Sequence, residues 1–277
     1  MPAIEVTVKA VAVLSIDLAY RRWSDLGVVI LNQGHPPQAR LGAAPPGSAI
    51  SCEMIPFAPP GVDPARDADP IGAEILAGRL NHLANLRGIR VMMLDGPQAW
   101  KSKSNGLEHA RVSERQLNTA GKTGLPGMVR PITYRPFAEF CIDVWDALCR
   151  RGWRRLETRE HSHSPQERVL VESYPYAAWK SLGLKPLCSK RRARVSDLAE
   201  ASAALCALIP LSFNRTPNHD QLQAIVGGLP GLALEEHNTG GVRIVGKPPR
   251  REEGHWREGF IVLPVAPRAQ TTLRWLN

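Results

Sequence analysis

Three apolar runs in this sequence each end in an acidic residue, and this pattern constrains the fold more than any other feature. The acids that end them are Asp17, Asp95 and Glu172. Short apolar runs bounded by turn residues are typical of buried strands. A carboxylate at the end of a buried strand is costly unless it is paired, hydrogen-bonded or bound to a cation. The pattern therefore predicts a sheet that collects carboxylates at one edge, an arrangement that suits divalent-cation chemistry.

The segments around these acids indicate an α/β fold. Residues 6–18, 26–32 and 49–57 are predicted as three strands, of which the first two form a hairpin. Residues 71–86 place apolar side chains at helical spacing and lead directly into the Asp95 strand, which is expected to join the sheet in parallel. An antiparallel meander followed by strand–helix alternation predicts a mixed sheet flanked by helices.

No linker interrupts the 277 residues, so we predict a single domain over 1–277 with an inserted helical segment at about 97–166. In the C-terminal part, 241–245 and 260–265 are predicted as short strands. The charged segment 248–253 between them is predicted as a turn.

The formal net charge of +9 favours an anionic partner, and nucleic acid is the first candidate. An arginine-rich surface without such a partner remains the alternative, because charge alone does not separate the two. Hydrophobic residues make up 43% and charged residues 22%, which are ordinary values for a globular protein. No apolar run has transmembrane length and the N-terminal residues do not predict a secretory leader, so no membrane partner is expected.

The five cysteines are odd in number and show no CxxC spacing. Buried reduced thiols explain them best, and we therefore predict a cytoplasmic protein. The sequence gives no prediction of oligomeric state.

A fourth acid, Asp220, follows Asn218 at the start of a predicted helix. Asn218 is a good N-cap residue, and the helix dipole favours a carboxylate in the first turn. Simple helix capping therefore explains Asp220 when it is taken alone. The presence of three acids at strand ends favours a role beside them.

These segments resemble the DUF429 family, whose members are regarded as predicted nucleases of the ribonuclease H-like superfamily. The resemblance covers most of the chain, roughly from Asp17 to Ala224, and the stretch Glu172 to Trp179 is its most specific part. It implies a five-stranded mixed sheet whose first three strands are antiparallel.

The resemblance also implies a site for metal-dependent phosphodiester hydrolysis, with Mg²⁺ or Mn²⁺ as cofactor. In that scheme Asp17 bridges two ions, Asp95 and Glu172 each hold one side, and Asp220 completes the cluster. One feature departs from the family, in which the last helix often carries two acids three residues apart. Gln223 stands at the second position and brings no charge.

Four cations are candidate nucleic-acid contacts. Lys185, Lys190 and Arg191 follow the Glu172 strand and its helix, and Lys101 follows the Asp95 strand beside a tryptophan. A solvated face is the default explanation for the basic run that contains Lys190 and Arg191.

Two other motifs are rejected. The segment 118–123 resembles the end of a phosphate-binding loop but lacks the leading glycine. His161 and His163 have no partner pair spaced for a zinc site.

A metal-dependent nuclease is thus the leading hypothesis for function. The alternative is a nucleic-acid-binding module with a degenerate, non-catalytic acid cluster. A third class, an ATP-handling phosphotransferase, is disfavoured because the chain has no glycine-rich phosphate loop and no duplicated domain.

Overall fold

The structure is a computed structural model that describes residues 11–34, 50–63, 70–160, 164 and 166–266. Within these residues a nine-stranded mixed sheet is flanked by six α-helices. The strands are β1 (Val11–Asp17), β2 (Gly27–Gln33), β3 (Ile50–Met54), β4 (Val91–Asp95), β5 (Arg154–Arg155), β6 (Val169–Ser173), β7 (Leu211–Phe213), β8 (Val242–Glu252) and β9 (His255–Pro264). The helices are α1 (Ala73–Leu86), α2 (Val112–Gln116), α3 (Arg135–Arg150), α4 (Pro175–Ser181), α5 (Val195–Leu208) and α6 (His219–Glu235).

The sheet runs in the order β7-β3-β2-β1-β4-β6-β9-β8, and β5 pairs with β6 outside this path. The first three strands are antiparallel neighbours, as predicted, and β4 joins β1 in parallel. The predicted strand count and order are wrong, because the sheet has nine strands in place of five. β5 and β7 contain only two and three residues, too few to leave a periodic signal in the sequence.

The segment predicted as a charged turn, Pro248–Glu253, lies mostly within β8. Glu252 of β8 pairs with His255 of β9, so the actual turn between the two strands is much shorter than expected. β8 lies at one edge of the sheet and β7 at the other. Prolines and charged residues are tolerated at a sheet edge, because an edge strand leaves one side of its backbone unpaired.

Alternate residues of the central strands supply two apolar layers. Leu14 and Ile16 of β1 point to the face that α1 and α3 cover, whereas Val13 points to the face that α6 covers. Within the segment predicted as an insertion, α3 buries Trp145 in the first of these layers, while residues 97–131 contain only α2 as regular structure. The prediction of a single domain stays a prediction.

Glycines let α6 approach the sheet closely. A Cβ atom on Gly228 would lie 2.7 Å from the Cβ atom of Ser15, and one on Gly231 would lie 2.7 Å from a methyl group of Val13. The Ser15 hydroxyl donates a hydrogen bond of 2.6 Å to the carbonyl of Ala224. The contact fixes α6 against β1, and it thereby sets where the first turn of α6 lies relative to Asp17.

The described helices include none with the length and apolar character needed to cross a bilayer. All five cysteines are free thiols, and Cys52 and Cys141 are buried. His161 and His163 lie outside the described residues.

Candidate metal and nucleic-acid site

Asp17 and Asp95 lie side by side at the carboxyl ends of β1 and β4. The two strands are parallel, and the two aspartates are partners in the strand register. Asp17 lies two residues after Ser15, whose hydroxyl bonds to α6, so the aspartates project from the α6 face of the sheet. Their side chains share a hydrogen bond.

Both carboxyl groups have raised pKa values. Burial is the largest cause for Asp17, and the neighbouring carboxylates of Asp95 and Asp220 raise its pKa further. Burial also raises the pKa of Asp95 to about 7, and Glu172 adds to this effect, whereas the hydrogen bond from Asp17 and the charge of Lys122 oppose it. Two neighbouring carboxyl groups do not ionise together readily, so the pair gives up its protons at a higher pH than a lone aspartate does.

Asp220 faces this pair from the first turn of α6. The capping role belongs to its neighbours, because the Asn218 side chain accepts from the Gln221 amide at 2.9 Å, and the Gln221 side chain accepts from the Asn218 amide at 3.0 Å. The buried Asp220 carboxylate instead contacts the Lys190 ammonium and the His219 ring. Simple capping therefore does not account for Asp220.

Gly27 is a part of the site that the sequence pattern did not reveal. It is the register partner of Asp17 on β2. A Cβ atom at this position would lie 2.2 Å from the backbone carbonyl oxygen of Asp220. A side chain at position 27 would therefore displace the first turn of α6 from the acid pair.

Glu172 is held in a buried ion pair with Arg111. Its two oxygens accept from the Arg111 guanidinium at 2.7 and 2.6 Å, and one of them also accepts from the Gln98 amide at 3.1 Å. Both side chains are almost fully buried. Burial lowers the pKa of Arg111, but the charge and hydrogen bonds of Glu172, together with the charges of Glu114 and Glu258, outweigh this effect and the net shift is upward. The carboxylate predicted as a metal ligand thus already accepts three hydrogen bonds, two of them from an arginine.

Gln223, the residue that departs from the family pattern, has a structural partner. Its side-chain carbonyl accepts a hydrogen bond of 2.8 Å from the indole of Trp179, which is fully buried. Gln223 therefore ties α6 to α4.

The four predicted substrate contacts lie in different environments. Lys101 is buried, and its ammonium donates to the Ser102 carbonyl at 3.1 Å. It therefore does not present a charge at the surface, contrary to its prediction as a nucleic-acid contact. Lys185 is exposed but lines a separate groove beside Trp179. Lys190 and Arg191 are exposed and line a groove next to Asp25.

A cavity of about 130 Å³ opens beside Asp95 and extends to Glu172. Four residues of the segment rejected as a phosphate loop, Thr119, Ala120, Lys122 and Thr123, form one wall of this cavity, and Tyr134 forms another. The Lys122 ammonium lies 4.6 Å from the centre of the Tyr134 ring. Sequence reasoning missed these residues because no motif connects them, and the chain brings them to the acid pair only through the loop between β4 and α3.

Glu258 holds the same loop in place and was also missed. One of its buried oxygens accepts from the Ser102 amide at 2.9 Å and the other from the Val112 amide at 2.8 Å. Its φ angle is +60°, a left-handed conformation that is unfavourable for a residue with a side chain. The two backbone hydrogen bonds explain how this conformation is maintained.

The residues fit a simpler metal site than the one that the sequence predicts. Within the described residues, no group of three or more His, Cys, Asp or Glu side chains is arranged to hold an ion. The four-acid cluster that the resemblance implies stays a prediction. Asp17 and Asp95 alone suit Mg²⁺ or Mn²⁺, since Mg²⁺ in proteins commonly uses one or two carboxylates and completes its shell with water and substrate phosphates.

Comparisons with known proteins add little to this geometry. No family model matches the chain, and no curated protein matches it. Among solved structures, the RuvC structure from Thermus thermophilus is similar with a TM-score of 0.36 and 9% sequence identity, over 81% of this chain and 96% of that one. A similarity at this level supports no conclusion about function. Because no family model matches, the resemblance to the DUF429 family stays a prediction.

Proposed function

We propose that this chain is a divalent-metal-dependent nuclease whose Asp17 and Asp95 hold one Mg²⁺ or Mn²⁺ ion. The observation that carries the proposal is the register pair itself, in which two carboxyl groups at the ends of parallel strands lie in contact and carry raised pKa values. A cation between them would balance the charge that a shared proton balances in its absence.

The other groups of the site have supporting roles in this proposal. Asp220 places the Lys190 ammonium beside the acid pair. The ion pair of Glu172 with Arg111 fixes the loop that carries Lys122. We therefore assign Glu172 and Asp220 to the support of the site and keep Asp17 and Asp95 as the metal ligands.

A bound divalent ion would polarise a phosphoryl oxygen and would lower the pKa of a bound water, so that this water could act as a nucleophile at neutral pH. Asp17 and Asp95 would hold that ion, and of the two Asp95 lines the cavity. Lys122, next to Asp95 in the cavity wall, would attract the phosphate group of a nucleic acid to the same place.

A second candidate function is nucleic-acid binding without catalysis. It is favoured by the cations that already neutralise two of the four acids, because Arg111 pairs with Glu172 and Lys190 pairs with Asp220. Binding of a metal ion separates the two functions, since a non-catalytic cluster has no need of one.

The test measures Mn²⁺ binding by calorimetry and by the melting temperature, followed by cleavage of single- and double-stranded DNA and RNA. We expect wild type to bind one Mn²⁺ per chain and to be stabilised by about 2.7 kcal/mol when free Mn²⁺ is 100 times its dissociation constant. Asp17→Asn and Asp95→Asn should lose both effects and all metal-dependent cleavage.

The matched control is Asp143→Asn. Asp143 is an exposed carboxylate on α3 whose pKa is raised by partial burial and by neighbouring Asp146, but it lies outside the site. This variant should bind Mn²⁺ as wild type does. A wild-type protein with no Mn²⁺ binding and an unchanged melting curve would refute the nuclease proposal and leave the binding function in its place.

A further inference from the structure

A groove of about 730 Å³ opens on the side of the acid pair where Lys190 lies. We call it the basic groove and define it by Tyr20, Arg21, Asp25, Lys190 and Arg191. The Lys190 ammonium contacts Asp25 at 2.6 Å and also reaches Asp220. Asp25 stands two residues before Gly27, the register partner of Asp17, so the groove adjoins the acid pair.

An aromatic row connects the basic groove with the cavity beside Asp95. The ring centres of Tyr20 and Phe137 are 6.2 Å apart, and those of Phe137 and Tyr134 are 5.1 Å apart. Tyr20 lines the groove, whereas Phe137 and Tyr134 line the cavity. All three side chains are half-buried, so each keeps part of its surface accessible.

The cations stand at the groove end of this row. The Arg21 guanidinium lies 5.3 Å from the centre of the Tyr20 ring and donates to its hydroxyl at 2.9 Å. Arg21 and Arg191 are exposed. The surface thus combines aromatic rings, on which bases stack, with cations that attract phosphates.

We propose that the basic groove and the aromatic row bind a single strand of nucleic acid and lead it past Asp17 and Asp95. A duplex stacks its bases on one another and leaves no base face free for protein rings, whereas an unpaired strand does. The role of the acid pair in this inference rests on the proposed function, but binding of the strand does not require a metal ion.

The experiment is fluorescence anisotropy with a labelled mixed-sequence oligonucleotide, single-stranded or annealed to its complement, in EDTA and over a range of salt concentrations. We expect wild type to bind the single strand more tightly than the duplex. Arg21→Ala and Arg191→Ala should each weaken binding and reduce the slope of log K against log salt by about 0.7 per phosphate contact.

Tyr20→Leu should weaken single-strand binding by roughly 5- to 150-fold, the loss of one stacked base. Tyr20→Phe keeps the ring and loses only the hydroxyl that accepts from Arg21, so it should lose much less affinity than Tyr20→Leu does. The contrast separates stacking from a general effect of substitution at this position. Lys247→Ala is the matched control, because Lys247 is an exposed cation on the edge strand β8, far along the sheet from β1. Circular dichroism and the melting temperature check that each variant is folded.

Preferential binding of the duplex, or an equal loss in the Lys247→Ala variant, would overturn the inference. The inference would also be overturned if the Tyr20→Leu and Arg191→Ala variants bound the single strand with wild-type affinity. A protein that shows the expected losses in EDTA but binds no Mn²⁺ would retain this inference and lose the proposed nuclease. A protein that binds Mn²⁺ at Asp17 and Asp95 but shows no groove effect would do the reverse.

Discussion

Asp17 and Asp95 are partners in the register of two parallel strands, and their side chains share a hydrogen bond. Neither carboxyl group has an arginine or lysine as a direct ion-pair partner among the described residues, while Glu172 and Asp220 each have one. The acid pair is therefore the part of the site whose charge is least compensated by the protein.

Replacement of Asp17 should show this imbalance in the metal-free protein. Asp17→Asn keeps the shape of the side chain and removes one negative charge near Asp95 and Asp220, both of which raise the pKa of Asp17. We expect the variant to keep its fold and to gain on the order of 1 kcal/mol in unfolding free energy at pH 8, the equivalent of about one pKa unit. Urea unfolding in EDTA measures the change, and a clear destabilisation would make Asp17 a structural residue.

The stability of the metal-free protein should also depend on pH. The pKa of Asp95 is raised to about 7 and that of Asp17 is raised as well, whereas both are near about 3.9 in an unfolded chain. Between these limits the folded state binds more protons than the unfolded state, so the contribution of the pair to stability is lost as pH rises.

We therefore expect the unfolding free energy in EDTA to include a loss between about pH 4 and pH 7, of up to about 1.4 kcal/mol per pH unit for each retained proton. Asp17→Asn should reduce this slope, because it removes one of the two titrating groups. Urea unfolding at half-unit pH steps gives both curves. Identical slopes for the variant and wild type would contradict the assigned proton sharing.

The pair of Arg111 and Glu172 should behave as a buried structural unit. Arg111→Met leaves the Glu172 carboxylate buried without its cation and should lower the unfolding free energy by about 3 to 5 kcal/mol. The double variant with Glu172→Gln should lose less than the sum of the two single changes, because it leaves no uncompensated charge.

The control for this double-mutant cycle is the exposed ion pair of Arg150 and Glu74. Arg150→Met should change the unfolding free energy little, because exposed ion pairs contribute little to stability. Additive effects of Arg111→Met and Glu172→Gln would show that the two residues are not coupled. In that case Glu172 would return as a candidate metal ligand.

Gly27 should tolerate no side chain. Gly27→Ala places a Cβ atom against the Asp220 carbonyl and should cost about 1 to 3 kcal/mol through displacement of the first turn of α6. Gly78→Ala within α1 is the control, since its nearest neighbour is the Arg151 guanidinium at 3.8 Å. That change should stabilise the helix by about 0.5 to 1 kcal/mol. Thermal unfolding of both variants measures the contrast, and equal effects would remove the role assigned to Gly27.

The sequence determined the central strands and their acids. The apolar runs of the central strands, the helix that precedes β4 and the antiparallel start of the sheet all follow from local sequence patterns, and the structure confirms them. Periodicity did not reveal β5 and β7, which are too short to show it, nor the strand character of the charged segment in β8.

Tertiary structure alone decided which acids are neighbours and which cations neutralise them. Arg111 lies sixty-one positions from Glu172 in the sequence, and Lys190 lies thirty positions from Asp220. No local sequence pattern predicts either pair. Asp17 and Asp95 come together because their strands are parallel and in register, whereas Glu172 meets Arg111 because the loop after β4 folds back over the end of β6. A sequence shows that a carboxylate at a strand end needs a partner, since burial of a lone charge is costly, but only the packing of distant segments determines whether that partner is a proton, an arginine or a metal ion.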